Sequence, residues 1–330
     1  MTDEVFIERI FQRVLRRKAD PQGKAAYIQA LKEKHTTREQ VVASLVESEE
    51  YDQILESSEF VPSGHFYSAV TSTEERERFV AEQPSLTRPT EIDFNDSRQW
   101  DLIESFKPFI EELPFPEKPN EASLYHLDNP AFGYADGIWL HSILRTFHPK
   151  NIIEVGCGYS SCMTIETVDK FLPKETTLKF IEPYPQFLEN LTGERFKELN
   201  VVEQKLQDVP LDTFDILEHD DILFIDSSHV SKTGSDVNHA VFNVLPRLKP
   251  GVIIHFHDIL WPFDYDPAWV EEGRCWNEAY LLRAFLAHND SYEILLYPNS
   301  LYPENLTWFE ENIPLALKVK GGSLWLRKVK

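Results

Sequence analysis

Only three cysteines occur in 330 residues: Cys157, Cys162 and Cys275. Their odd number gives no disulfide framework and their spacing no metal-binding pair, so a reduced, cytoplasmic setting is expected. No apolar run approaches the ~20 residues that a membrane span requires. The opening Met1-Thr2-Asp3-Glu4 is acidic, with no apolar signal-peptide core behind it. Basic residues are scarce as well: 33 Lys and Arg stand against 55 Asp and Glu, a formal charge of −22. Nucleic acid and anionic membrane, both polyanions, are thereby disfavoured as main partners. What the chain does have is 42% hydrophobic and 12% aromatic residues, too many for a disordered acidic chain. Its length suits one large domain or a domain with an appendage.

Three parts follow one another. Residues 1–60 read as a small helical bundle. Phe6, Ile10, Val14 and Leu15 recur at helical spacing. Asp20-Pro21 is an N-cap with proline in the first turn, opening a second helix through Ala25, Ile28 and Leu31. Thr36 or Thr37, with Glu39 and Gln40 behind it, starts a third through Val41, Val42 and Leu45. Residues 61–120 carry Pro62, Pro84, Pro89, Pro108, Pro114, Pro116 and Pro119 and read as a connecting arm. Helical pieces are expected at 74–82 and 97–112. Phe66, Tyr67, Phe94, Trp100 and Phe106 call for burial, so the arm is expected to pack on the domain that follows.

From about residue 121, strand and helix alternate. Strands are expected at 151–156, 178–181, 201–206, 221–226 and 251–256, with helices at 160–171, 186–199, 235–248 and 276–288. Two closing strands, 292–297 and 323–329, are expected to pair as an antiparallel hairpin with no long helix between them. Repeated strand–helix units mean a parallel sheet covered on both faces.

Glu154-Val155-Gly156-Cys157-Gly158-Tyr159-Ser160-Ser161 sits at the first strand-to-helix turn. Glycines there let the backbone approach a ligand, and the helix start offers free N–H groups. Glu182, at the end of the second strand, suits a ribose. Glu154 lies inside a strand end, where an acid is costly unless it meets donors or a cation. A nicotinamide pyrophosphate is an unhelpful neighbour for it; the ammonium of an amino-acid cofactor is a good one. Strand four ends at Asp226-Ser227-Ser228-His229 and strand five at His255-Phe256-His257-Asp258. Ligands bind at the carboxyl ends of strands in open parallel sheets, so these residues share one crevice. A histidine is a suitable base for a hydroxyl.

The ordered set E-V-G-C-G-Y-S-S, F-I-E-P, L-Q-D-V, L-F-I-D-S-S-H and H-F-H-D resembles class I S-adenosylmethionine-dependent methyltransferases. A bacterial subgroup carrying G-H-F-Y-S upstream, here Gly64–Ser68, is the nearest resemblance. It implies a Rossmann-like α/β sheet of seven strands with helices on both faces, and O-methylation of a small molecule or sugar hydroxyl. Glu154, Gly156, Gly158 and Ser160 would then line the methionine end of the cofactor. Glu182 would hold the ribose, Gln207 and Asp208 would lie near the adenine, and Asp226 would touch the cofactor too. Asn129–Phe132 and Asp136 would cover it. The spacing also resembles metal-dependent O-methyltransferases. That implies a divalent ion on Asp226, His257 and Asp258, softer than magnesium because of the histidine. Without a metal, His229 or His257 is the base and Asp226 an orienting group.

The stretch from Phe6 to Gly23, with Leu45–Tyr51, resembles a bacterial helical domain of unknown function akin to phycobilisome linker domains. It implies docking or self-association rather than chemistry. The loop Trp261–Tyr265, with Trp269, Arg274, Trp276, Asn277 and Glu278, is an aromatic insertion suited to stacking on an acceptor. Two rival readings are a catalytically silent cofactor-binding module and a nicotinamide oxidoreductase.

Overall fold

The computed structural model describes residues 2–15, 17–58, 60, 61, 63–82 and 87–330. Met1, Pro62 and Pro84, named above, lie outside them. The chain divides into two compact units, 1–78 and 79–330.

In the first unit, caps set the helix starts. Thr2 accepts from Val5 N at the head of α1 (Asp3–Val14). Asp20 accepts from Gly23 N to open α2 (Pro21–Lys32). Thr37 and Gln40 form a reciprocal capping box on α3 (Arg38–Val46). A fourth helix, α4 (Glu49–Ser58), follows. Ile7, Phe11, Leu15, Val41 and Leu45 form the core. Phe66 and Tyr67 depart from expectation: they are 76% and 68% exposed, and their rings pack on each other and on His65.

α5 (Thr73–Glu82) crosses the division between the units. In the second unit, Ile92, Phe94, Ile103, Phe106 and Phe115 enter the cores, with α6 at Asp96–Glu111. α7 (Tyr134–Phe147), absent from the expected elements, is buried from Tyr134 through Leu144. Buried all round, it shows no amphipathic period to read. β1 (Asn151–Val155), α8 (Tyr159–Phe171), β2 (Thr177–Ile181), α9 (Gln186–Thr192) and β3 (Val201–Val202) come next. β3 is shorter than expected, because Leu206–Asp208 turns into a 3-10 helix. β4 (Ile222–Ile225) leads to α10 (Asp236–His239). The helix expected to run to 248 passes instead through a π turn and a 3-10 turn at Leu245–Arg247, where Pro246 lacks an N–H. β5 (Ile253–Phe256), α11 (Pro267–Glu271), α12 (Glu278–Leu286) and β6 (Tyr292–Leu296) follow.

The last pair of strands is not joined by a tight turn. α13 (Pro298–Asn312) lies between β6 and β7 (Leu324–Lys328), contrary to expectation. It carries Pro303 and a non-helical Asn305, which obscure its period, and it buries Leu301, Tyr302 and Phe309. The sheet order is β3-β2-β1-β4-β5-β7-β6, with β7 antiparallel to both neighbours. Alternating side chains feed two cores. Ile153, Val155, Leu223, Ile225 and Ile254 face one side. Ile152, Ile222, Phe224 and Trp325 face the other, with α7, α8 and α13. The sheet is thus sandwiched between helical layers, and its strand ends β1, β2, β4 and β5 are left to bind.

Candidate active site

The turn after β1 fits closely against the end of β4. Gly156 has φ +78° and its N–H donates to the Ile181 carbonyl at 3.0 Å. A Cβ at Gly156 would collide with the carbonyl oxygen of Asp226, so glycine is required there on two counts. At Gly158 a Cβ would come within 3.2 Å of the Phe187 ring. Glu154 is fully buried; its Oε1 accepts from Ser160 Oγ at 2.6 Å and Ser161 Oγ at 2.8 Å. Its Oε2 takes no hydrogen bond among the described residues. Burial pushes its pKa up to about 8, although the two serines pull the other way. Ser160 therefore serves Glu154 directly.

A cleft of 490 Å³ opens beside this turn, lined by Gly156, Glu182, Tyr184, Lys205, Gln207, Asp226, Lys232 and Asp236 among others. Glu182 accepts one backbone N–H on each oxygen, from Cys157 at 3.2 Å and Tyr184 at 2.7 Å. Lone pairs remain on both for ligand hydroxyls. Gln207 Nε2 donates to the Gly234 carbonyl at 3.2 Å, while its Oε1 is buried without a partner among the described residues. Asp208 is exposed and does not line the cleft. Asp236 accepts from the N–H and hydroxyl of Ser228 and so shapes the loop after β4.

A second cleft of 590 Å³ lies beyond β5. Its lining includes Asn129, Pro130, Ala131, Asp136, Asp258, Trp261, Trp269, Asn299, Tyr302 and Lys320. The 129–136 segment thus lines this cleft and is absent from the lining of the first. Asp136 accepts from Gly322 N at 3.1 Å and from the Ser323 hydroxyl at 2.6 Å. Burial raises its pKa against the pull of His257.

His229 stands between the clefts. Its Nε2 lies 3.4 Å from Asp226 Oδ1 and 3.6 Å from Asp258 Oδ2, and its Nδ1 lies 3.0 Å from Glu278 Oε2. Trp276 covers the ring, centroids 4.4 Å apart. Burial lowers its proton affinity, but Asp226 and Glu278 outweigh burial and bring the pKa to about 10. Burial would raise Asp226, yet the His257 and His229 charges hold it below its ordinary value. His257 is buried, with Nε2 3.5 Å from Asp258 Oδ1. Burial lowers its proton affinity, and Asp258, Asp226 and Asp136 more than restore it, so its pKa is raised. His255 stacks at 4.0 Å on Phe224 in the core, its ring 5.7 Å from that of His257, and burial holds its pKa well down.

The expected metal set is not assembled. Among the described residues no three His, Cys, Asp or Glu converge to hold a metal ion. Asp226 and Asp258 converge instead on an imidazole nitrogen, 3.4 and 3.6 Å from His229 Nε2. Glu278, a partner of His229, was expected only as part of the aromatic insertion. The two lie 49 positions apart, and an acid at the head of a helix ordinarily reads as a dipole partner. Lys205, Lys232 and Tyr184 are further lining residues that no motif marks.

Comparison with known proteins adds the following. Residues 153–259 match a family described as Methyltransferase domain. Residues 1–63 match one described as Domain of unknown function (DUF4214). An uncharacterized protein from Archaeoglobus fulgidus is 26% identical over 193 residues, covering 56% of this chain and 87% of that one. Among solved structures, the O-methyltransferase TomG from Streptomyces achromogenes, in complex with SAM, is 17% identical at a TM-score of 0.40. That likeness covers 68% of this chain and 96% of the other. The O-methyltransferase from Bacillus cereus in complex with SAH is 13% identical over 78% of this chain and 98% of its own, at a TM-score of 0.37. At such scores these structures say nothing of the acceptor.

The glycine turn at a strand end and the seven-stranded sheet agree with the matched family: residues 153–259 are a methyltransferase domain, on the sheet of the class I S-adenosylmethionine-dependent fold. The chain carries that domain behind a helical domain of unknown function. The first cleft fits the cofactor, because Gly156 leaves the backbone open to it and Glu182 and Gln207 keep free acceptor capacity for it. No helix of the described residues is long and apolar enough to cross a membrane.

Proposed function

We propose that the enzyme methylates a hydroxyl oxygen of a small molecule or sugar held in the second cleft, with the cofactor in the first. One observation carries this reading. Asp226 lines the first cleft, Asp258 lines the second, and both face His229 Nε2. Bound S-adenosylmethionine supplies an electrophilic methyl group; the chain must orient the acceptor oxygen and accept its proton. Glu182 holds ribose hydroxyls, Gln207 accepts from the base, and Asp226 offers negative charge toward a cationic cofactor.

The proton belongs at Asp258, on the acceptor side. Asp226 and Glu278 raise the His229 pKa to about 10, which disfavours it as a free base. This moves the base expected at His229 or His257 to Asp258, 3.6 Å from His229 Nε2. Among the described lining residues, Lys320 stands against Asp136, Asp258 and Asp266, which favours an acceptor without negative charge. The indole faces of Trp261 and Trp269 suit an apolar ring face. Residues 1–60 would serve docking or self-association.

The test is transfer of a radiolabelled methyl group from S-adenosylmethionine to a panel of uncharged polyols, sugars and phenols. The expected product is a base-stable ether. Asp258→Asn should lower transfer about 100-fold while calorimetry still detects cofactor binding. Transfer to amines alone, or full activity in Asp258→Asn, would overturn the reading.

A further inference from the structure

The proposed chemistry makes no use of Glu278, although it is only 1% exposed. Its Oε2 lies 3.0 Å from His229 Nδ1, and its Oε1 has no partner among the described residues. Burying a carboxyl beside a ring nitrogen adds little stability over an apolar pair of the same shape, so packing alone does not account for it. The head of α12 also grips the loop that carries His229. The N–H groups of Asn277 and Glu278 both donate to the His229 carbonyl, at 3.0 and 3.2 Å. The Asn277 side chain accepts from Ser231 N at 2.5 Å and donates to Ser231 O at 3.2 Å. His229 is held there at φ +58°, a left-handed conformation that a side chain beyond glycine seldom adopts unaided.

We propose that Glu278 is the positioning residue of the site: it pins the proton on His229 Nδ1 and thereby aims Nε2 at Asp226 and Asp258 together. A ring flipped about χ2 would turn carbon toward the two carboxylates and lose both contacts. Whichever of the two atoms formally holds it, one proton lies between Nδ1 and Oε2, and Nε2 is left to bridge the clefts. The other charged or titratable groups around the pair are Asp226, Asp258, His257, Asp236 and Tyr265. Among the described residues Glu278 is the partner of Nδ1, so none of these groups competes for it. The role rests on the proposed reading of His229 as the link between two clefts.

The experiment uses the full chain labelled with ¹⁵N-histidine and needs no acceptor. In the wild type, one ring should show an Nδ1 proton shifted far downfield and slow to exchange, and His229→Gln should remove it. Glu278→Gln keeps an acceptor oxygen but loses the charge. It should move that proton upfield by more than 1 ppm and speed its exchange at least tenfold. Calorimetric affinity for S-adenosylmethionine should change less than threefold. Glu278→Asp retains the charge on a shorter arm and should give an intermediate shift, which keeps the test decisive if the glutamine variant folds poorly. An unchanged ring signal in both variants would overturn the role. So would a tenfold loss of cofactor affinity in Glu278→Gln, since that places Glu278 on the cofactor itself. Failure of the wild type to bind S-adenosylmethionine would instead sink the two-cleft reading and leave the ring signal to decide the Glu278–His229 contact.

Discussion

Glu154 and Asp226 stand on neighbouring strands at the same edge of the sheet, yet their protons behave oppositely. Glu154, fully buried, meets two hydroxyls and no cation, and its pKa rises to about 8. Asp226, with a third of its side chain exposed, meets His229 and His257, and its pKa falls. A strand-end acid therefore has no fixed role. Its partners decide whether it is a carboxyl pushed toward neutrality beside the cofactor turn or a charged wall of the site.

Gly156→Ala attacks the contact between the two strand ends and should have the largest effect. The new Cβ runs into the Asp226 carbonyl at a left-handed φ, and a loss of more than about 3 kcal/mol is expected in denaturant unfolding. Next comes Asp226→Asn. Removing one carboxylate from a half-buried cluster with two histidines should cost about 2 kcal/mol. Both measurements would break the comparison if stability were unchanged.

Glu154→Gln sharpens it through pH. Because the folded pKa of Glu154 lies above the unfolded value, its contribution to stability is complete below about pH 4.5 and is lost as pH rises toward 8. The glutamine variant removes that dependence. Wild type minus variant stability, by thermal unfolding, should thus fall across pH 4.5 to 8. For Asp226 the sign reverses: its lowered pKa contributes stability above 3.8 that is lost as pH falls through the folded value. A flat difference curve for Glu154→Gln would mean that the carboxyl is not held neutral. The smallest effect is expected at Gln207 and Asp208. Gln207→Ala should weaken cofactor binding about fivefold, one modest hydrogen bond, and Asp208→Ala should leave it unchanged.

Much of this site is legible in the amino-acid order itself. The β1 turn, Glu182, Asp226, His229 and Asp258 all follow from motifs placed at strand ends, because a parallel sheet brings those ends together. The helical caps Asp20 and Thr37 concern neighbours three residues away, and local chemistry reveals such contacts, while the cap at Thr2 is not read from the sequence. Relations without a local period leave no such trace. α7 is buried throughout, α13 is broken by Pro303 and Asn305, and Glu278 reaches His229 only through the insertion after β5. The acidity of the composition takes on a specific meaning at one point. Asp226, Asp258 and Glu278 gather around the ring of one histidine, His229.

The most direct test of the account is calorimetric titration of S-adenosylmethionine into the wild type and into Asp226→Asn. One site per chain is predicted for the wild type, with affinity at least about 30-fold weaker in the variant, roughly 2 kcal/mol. Equal affinity in the two proteins, or no binding to the wild type, would contradict it.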